Sequence, residues 1–166
     1  RSTSHMRIQL ASDLHLEFLE SRCPSARLVE PAPGADLLVL AGGNEEDMRE
    51  AVYTQRFYLN DGKGAFTEAL DRLPPMMTSA LRAAAADIDN DGDLDVYVGG
   101  RTTPAHYPFA PRSFLLVNNG KGYFADGTEA LAPGAMGPGL VTDVRFADLD
   151  GDKDPDMLVV GEWMKV

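Results

Sequence analysis

The sequence contains few cysteines and few basic residues, and each shortage excludes a class of protein. Cys23 is the only cysteine, so the chain cannot form an intrachain disulfide. Fifteen Lys and Arg residues stand against 26 Asp and Glu residues, which gives a formal net charge of −11 at pH 7. Because nucleic acids and anionic membranes are bound by clustered positive charge, we expect neither as a partner.

Long apolar runs are also missing. No stretch approaches the roughly 20 apolar residues of a membrane-spanning helix, and the first residues do not resemble a signal peptide. We therefore expect no membrane insertion, and the composition leaves the cellular compartment open. Residues 1–6 resemble the remnant of an expression tag, because Arg-Ser-Thr-Ser-His precedes Met6. We expect this remnant to lie outside the fold.

Aspartate is abundant and unevenly distributed. Ten of the 26 acidic residues lie in two windows, 87–95 and 148–156, where Asp occupies every second position. A solvated acidic surface would spread its charge and mix Glu with Asp. The pattern therefore indicates two loops with a specific role.

Two motifs recur at nearly the same spacing, which indicates an internal repeat. YLNDGKGAF (58–66) returns as LVNNGKGYF (116–124), and ADIDNDGDLDVYV (86–98) returns as ADLDGDKDPDMLV (147–159). The first motif combines an apolar strand end, an Asn/Asp-Gly turn and an aromatic residue, which is typical of a β-hairpin. The two offsets predict a repeat of about sixty residues.

Each repeat is predicted to contain four strands, and the fold class is therefore mainly β. The strands of the complete unit are expected at about 81–87, 94–99, 113–117 and 123–126. Turn residues separate them, and no long amphipathic helical pattern lies between them. A four-stranded antiparallel unit repeated in tandem is typical of a β-propeller blade.

By this repeat the chain contains the strands of about two blades. Two strands of one blade are expected within residues 53–69, a complete blade at 80–131, and two strands of a third at 140–164. Residues 7–43 lie outside the repeat and are predicted to form two strands, at 7–12 and 36–41, followed by an acidic connector at 44–52.

Each Asp window has the form D-x-D-x-D-x-D-x-D, which suits a calcium loop. Alternate carboxylates on a tightly curled loop can turn inward, position 7 can offer its backbone carbonyl, and Ca²⁺ takes six to eight hard oxygen ligands. Two carboxylates about 4 Å apart repel by ~4 kcal/mol at an effective dielectric of 20, so such loops need a cation. The predicted metal-binding residues are Asp87, Asp89, Asp91, Asp93, Asp95, Asp148, Asp150, Asp152, Asp154 and Asp156.

The two loops differ from an EF-hand and from each other. An EF-hand requires Glu at position 12 and flanking helices, but this position holds Val98 and Val159, and the flanks resemble strands. Position 6, where the chain turns sharply, is Gly92 in the first loop and Lys153 in the second. If the turn needs positive φ, Lys is strained there and the first loop binds calcium more tightly.

Residues 53–166 resemble the FG-GAP/VCBS repeats of integrin-α-type β-propellers. The loops follow the family pattern D-x-[DN]-x-D-G-x-x-D, and residues 59–66 and 117–124 match its N-D-G-x-G-x-F blade edge. The resemblance implies a calcium-stabilised propeller with an adhesive, ligand-displaying or scaffold role, usually outside the cell, and a protein or glycan ligand that the sequence does not identify. The chain is therefore not expected to be an enzyme.

Residues 6–43 resemble the first strands of calcineurin-like metallophosphoesterases. In that family a D-x-H pair, here Asp13 and His15, binds one metal of a dinuclear site, and an Asp where this chain has Gly43 bridges the two metals. The later histidine motifs are absent, and hydrolysis needs both metals. The abrupt change of family at residues 43 and 44 predicts a chimeric chain. The alternative function is a phosphoesterase remnant with little or no activity.

The two half-blades predict self-association. The strands within 140–164 lack the third and fourth strands of their blade, and those within 53–69 lack the first and second. Open strand edges are templates for pairing. Either residues 7–43 supply the missing strands within one chain, or the C-terminal half-blade of one chain pairs with the N-terminal half-blade of the next and the contact repeats around a ring.

Overall fold

Strands dominate the structure. The computed structural model describes the strands at 8–12 and 37–41 together with residues 55–61, 65–69, 71–103 and 106–164. The mainly β fold class predicted from the sequence is confirmed. No helix in these ranges is long and apolar enough to cross a membrane.

The strands of these ranges form three sheets, each in chain order. The N-terminal sheet contains β1 (Ile8–Ser12), β2 (Leu37–Ala41), β3 (Arg56–Asn60) and β4 (Phe66–Glu68). The central sheet contains β5 (Ser79–Ala86), β6 (Asp95–Thr102), β7 (Phe114–Asn118) and β8 (Phe124–Asp126). The C-terminal sheet contains β9 (Leu140–Ala147) and β10 (Asp156–Glu162), and a short helix α1 (Thr128–Leu131) and a 3-10 turn (Pro133–Ala135) precede it.

The central sheet is the complete blade that the repeat predicts. Each of its four strands begins within about two residues of its expected position, because the Gly, Asn and Asp turns that bound the strands are local signals. All three strand pairs of this sheet are antiparallel. The helix α1 was not predicted, since its single turn is too short to produce an amphipathic pattern.

The two N-terminal strands pair with the first hairpin. β2 pairs antiparallel with β3, and β1 pairs with β2, so the N-terminal sheet has four strands. This is the arrangement in which residues 7–43 supply the missing strands within one chain; self-association stays a prediction. The β1–β2 pair is parallel, unlike the other pairs, and the 13–36 connection has the length that a parallel crossover requires.

The first strand of the central sheet contacts the first strands of the other two sheets. β5 lies beside β1 and beside β9. Neighbouring propeller blades are arranged in this way around a common axis. The three sheets are therefore consecutive propeller-like blades, the last of them represented by two strands.

The central sheet is buried on both faces, and its alternating side chains belong to two different cores. Val96 and Val98 of β6 pack with Phe57 of the N-terminal sheet, whereas Tyr97 packs with Val144 of the C-terminal sheet. Successive side chains of a strand point to opposite faces, so the apolar run of β6 serves both interfaces. The buried Tyr97 hydroxyl donates to the Ala135 carbonyl at 2.9 Å, which satisfies its polar end.

The central and C-terminal sheets each contain a bulge at the same position of the repeat, and the two sheets lie close together beside it. The register of β5 and β6 shifts beside Gly99 and Gly100, and that of β9 and β10 shifts at the equivalent Val160 and Gly161. A Cβ added to Gly99 would lie 2.5 Å from Val141 Cγ1. The interface between the two sheets therefore requires glycine at this position.

We expect Gly99→Ala to destabilise the fold by about 1–3 kcal/mol, because the extra methyl group overpacks the contact with Val141. Gly134→Ala is the matched control, since nothing lies within 4 Å of a Cβ added there. The free energy of unfolding from urea titration should fall for the first variant and change by less than about 0.5 kcal/mol for the second. Equal values for the two variants would contradict the close packing of the sheets.

Candidate metal centre

Both Asp loops connect the first and second strands of a sheet. The first Asp loop (87–95) runs from β5 into β6, and the second Asp loop (148–156) runs from β9 into β10. Because β5 and β9 are neighbours, the loops lie at the same end of adjacent sheets. The side-chain amide of Asn90 in the first loop donates to Asp154 Oδ1 in the second at 2.8 Å.

Three carboxylates converge in each loop, at positions 1, 3 and 9. In each cluster every residue contributes one carboxylate oxygen, and these three oxygens lie within 4.8 Å of one another. The first cluster is Asp87, Asp89 and Asp95, and the second is Asp148, Asp150 and Asp156. Equivalent residues of the two repeats therefore form equivalent sites.

The other four predicted residues, in the described part of the chain, lie outside these clusters. At position 5, Asp91 Oδ1 accepts the backbone N–H of Asp93 at 2.9 Å, and Asp152 Oδ1 accepts that of Asp154 at 2.9 Å. At position 7, Asp154 accepts the bond from Asn90, and the Asp93 carboxylate lies beside Gly120. Position 7 can thus offer its carbonyl while its side chain contacts a neighbouring segment.

The first Asp of each loop holds the turn. Asp87 accepts the backbone N–H groups of Asp91 at 3.1 Å and Gly92 at 3.0 Å. Asp148 accepts those of Gly151 at 2.7 Å and Lys153 at 3.1 Å. Short Asp side chains accept hydrogen bonds from nearby backbone N–H groups in this way. These hydrogen bonds curl the chain, so the loop folds around its own carboxylates.

Both loops need two residues of positive φ, at positions 4 and 6. In the first loop these are Asn90 (φ 59°) and Gly92 (φ 94°). In the second they are Gly151 (φ 87°) and Lys153 (φ 79°). Lys153 therefore occupies a left-handed conformation that residues with a Cβ rarely adopt. The turn at position 6 is predicted from the sequence, whereas the turn at position 4 is not, although Asn and Gly, which tolerate positive φ, mark that position in both loops.

Asp95 is the buried member of the first cluster. It is 0% exposed, and its two oxygens accept the backbone N–H groups of Ile88 at 2.9 Å and Asn118 at 2.8 Å. Burial raises the pKa of Asp95, and the nearby charges of Asp89 and Asp91 raise it further, against the lowering effect of the two hydrogen bonds. A cation in the cluster would offset this unfavourable burial of charge.

Asp156 is the equivalent residue of the second cluster and is less enclosed. It is half-buried, and one oxygen accepts the backbone N–H of Leu149 at 2.9 Å, as Asp95 does from Ile88. Asn118, which donates to Asp95, ends the third strand of its sheet. Within the described ranges no third strand lies beside β10, so Asp156 has no equivalent of this donor.

We expect Gly92→Ala to destabilise the protein by about 1 kcal/mol or more in the presence of a chelator. The alanine would have to adopt positive φ, which its Cβ makes unfavourable. Lys153→Ala is the matched change at the same loop position, where a Cβ already exists, and should change stability by less than about 0.5 kcal/mol. Urea titration measures both variants. Similar losses would show that position 6 is not constrained in the way that its φ values indicate.

Comparison with protein families gives a match over the N-terminal and central sheets. The model of the FG-GAP-like repeat matches residues 35–98, which include β2, the first hairpin, the first Asp loop and the start of β6. The match crosses the predicted change of family at residues 43 and 44. Asp13 and His15, on which the metallophosphoesterase resemblance depends, lie outside the match and outside the described residues. That resemblance and the chimeric origin stay predictions.

The remaining comparisons add no relative. No curated protein and no solved structure matches the chain. The family match agrees with the repeated sheets and with the resemblance seen in the sequence. Residues 35–98 are therefore similar to FG-GAP-like repeats, and this similarity supports a β-propeller-type repeat module.

Proposed function

We propose that the protein is a calcium-binding β-propeller-type module with a structural or adhesive role, and that it catalyses no reaction. The observation that carries the proposal is the recurrence of one carboxylate triad at equivalent positions of two neighbouring sheets. The similarity to FG-GAP-like repeats supports it. A solvated acidic surface gives no reason for the same three positions to converge twice.

The ligand chemistry favours calcium. Each cluster offers only carboxylate oxygens, and the position 7 carbonyl and water can complete a shell of six to eight oxygens. Softer metals prefer His and Cys, which neither cluster contains. Magnesium demands near-ideal octahedral geometry and usually keeps several waters, so a loop in which three carboxylates converge suits calcium better.

The position of the loops favours a structural role. Each loop joins two paired strands, and the hydrogen bond from Asn118 to Asp95 connects the first site to β7 as well. A cation there would neutralise three converging carboxylates and hold three strands together. Because the sites form only in the folded chain, calcium would stabilise the native state by mass action.

We expect calcium to raise the melting temperature and a chelator to lower it. Free calcium about 100-fold above the dissociation constant adds about 2.7 kcal/mol of stability per site, which corresponds to about 5–10 °C for a chain of this length. The same concentration of magnesium should give a smaller shift. Differential scanning fluorimetry measures the effect. An unchanged melting temperature in calcium and in chelator would exclude the calcium role.

The first Asp loop should bind calcium more tightly than the second. Asp95 is buried and held by two backbone N–H groups, whereas one such group among the described residues donates to Asp156, and Lys153 adds strain and positive charge to its loop. Asp89→Ala and Asp150→Ala remove the same ligand position from each loop and form a matched pair.

We therefore expect Asp89→Ala to remove more of the calcium-induced rise in melting temperature than Asp150→Ala. In chelator both variants should retain the parent stability or gain slightly, since each removes one repelling charge. Melting curves with and without calcium measure both effects. Equal losses, or a larger loss for Asp150→Ala, would refute the proposed order of affinities.

A further inference from the structure

A side-chain hydrogen bond joins the two Asp loops. The amide of Asn90, at position 4 of the first loop, donates to Asp154 Oδ1, at position 7 of the second, at 2.8 Å. The acceptor is a carboxylate, so the bond is charge-assisted and stronger than one between two neutral groups. The loops that form the two candidate calcium sites are therefore in direct contact.

The donor lies in the part of the first loop that calcium would fix. Asn90 follows Asp89, a member of the first triad, and precedes Asp91. The backbone N–H of Asp91 donates to Asp87, another member of that triad, at 3.1 Å. A cation bound by Asp87 and Asp89 would therefore hold the backbone on both sides of Asn90, and with it the side-chain amide.

The acceptor lies where the second loop would offer a backbone carbonyl to calcium. The backbone N–H of Asp154 donates to Asp152 Oδ1 at 2.9 Å, and the residue follows Lys153, which is strained at φ 79°. The bond from Asn90 holds its side chain as well. A residue held at its backbone and its side chain loses less conformational freedom when its carbonyl binds a cation, and binding is tighter for that reason.

We propose that calcium in the first Asp loop strengthens calcium binding in the second through the hydrogen bond from Asn90 to Asp154. Calcium in the first loop would order Asn90, and the ordered amide would hold Asp154 in place to offer its carbonyl. Linkage makes the effect reciprocal. The inference rests on the proposed calcium role and adds that the two sites fill cooperatively. Asn90 is then a positioning residue and not a ligand.

Charge alone predicts the opposite effect. Each loop carries five Asp residues, and calcium in one loop would reduce the negative potential that attracts calcium to the other. Residues 89–92 and 148–154 are exposed, and salt screens exposed charges that are more than about 8 Å apart at physiological ionic strength. A direct contact at 2.8 Å is little affected by this screening. The sign of the coupling therefore distinguishes the hydrogen bond from a general effect of charge.

The test is a calcium titration of the full chain in about 0.15 M salt, followed by NMR. The backbone N–H groups of Gly92 and Gly151 donate to the first Asp of their own loops, so their resonances report the two sites separately. We expect the first loop to fill at the lower calcium concentration.

Asn90→Gly removes the amide donor and keeps positive φ accessible, since the second loop has glycine at the same position. The change lies in the first loop, yet it should raise the calcium concentration that half-fills the second loop. We expect a rise of about threefold to tenfold, which is the effect of one hydrogen bond. A local role for Asn90 would instead weaken only the first loop.

Two variants at Asp154 separate the hydrogen bond from charge. Asp154→Ala removes the acceptor and the charge but keeps the backbone carbonyl, and should weaken the second loop as Asn90→Gly does. Asp154→Asn removes the same charge and keeps an oxygen that can accept the bond, so it should retain most of the coupling. Combining Asn90→Gly with Asp154→Ala should add little to either change, because both remove the same interaction.

Disabling the first site shows whether the effect depends on calcium there. In Asp89→Ala the second loop should fill at about threefold to tenfold higher calcium than in the parent chain. Adding Asn90→Gly to this variant should change the second loop by less than about twofold, since no cation orders Asn90. Melting curves in chelator check that each variant folds, which we expect because Asn90 and Asp154 are exposed.

Three results would overturn the inference while leaving the calcium role intact. They are an Asn90→Gly effect confined to the first loop, an equal effect of Asn90→Gly with and without Asp89→Ala, and calcium binding at one loop only. A second loop that fills at the same concentration in Asn90→Gly and in the parent chain would overturn it as well. Resonances that do not respond to calcium at either loop would instead exclude the calcium role, and the inference with it.

Discussion

The buried carboxylate of Asp95 connects the first Asp loop to the central sheet. One oxygen accepts a hydrogen bond from within the loop, from Ile88, and the other accepts one from Asn118 at the end of β7. Burial opposes the ionised form, so the group depends on these donors and on any cation that the loop can hold. The geometry of the loop and the pairing of β6 with β7 are therefore linked through one side chain.

The hydrogen bond from β7 to the buried Asp95 also distinguishes the two repeats. The second Asp loop reproduces the carboxylate triad and the turn of the first, including positive φ at positions 4 and 6. It differs in what surrounds it, because no third strand of the described chain lies beside β10 to bury Asp156. Of the two loops, the one in the four-stranded sheet has the additional donor from the third strand.

Much of the candidate site could be predicted from the sequence because its signals are local. The Asp spacing indicated both loops, and Gly92 indicated the turn at position 6. Position 5 was also predicted as a ligand, but its side chain has a different contact. Asp91 and Asp152 each accept a hydrogen bond from the backbone N–H two residues later and lie outside the triads. Spacing alone cannot show which carboxylates face inward, since that depends on how each side chain satisfies the backbone around it.

The sequence by itself determined the strands, the turns and the repeat, because alternation of apolar residues and tolerance of positive φ are properties of short segments. Only the tertiary structure decided that β1 and β2 complete the N-terminal sheet and that Asn90 reaches Asp154 in the next loop. It also decided that Asp95 is buried while Asp156 is half-buried, although the two share one motif. These features depend on contacts between segments far apart in the chain, and no local pattern encodes which distant strand will cover a given residue.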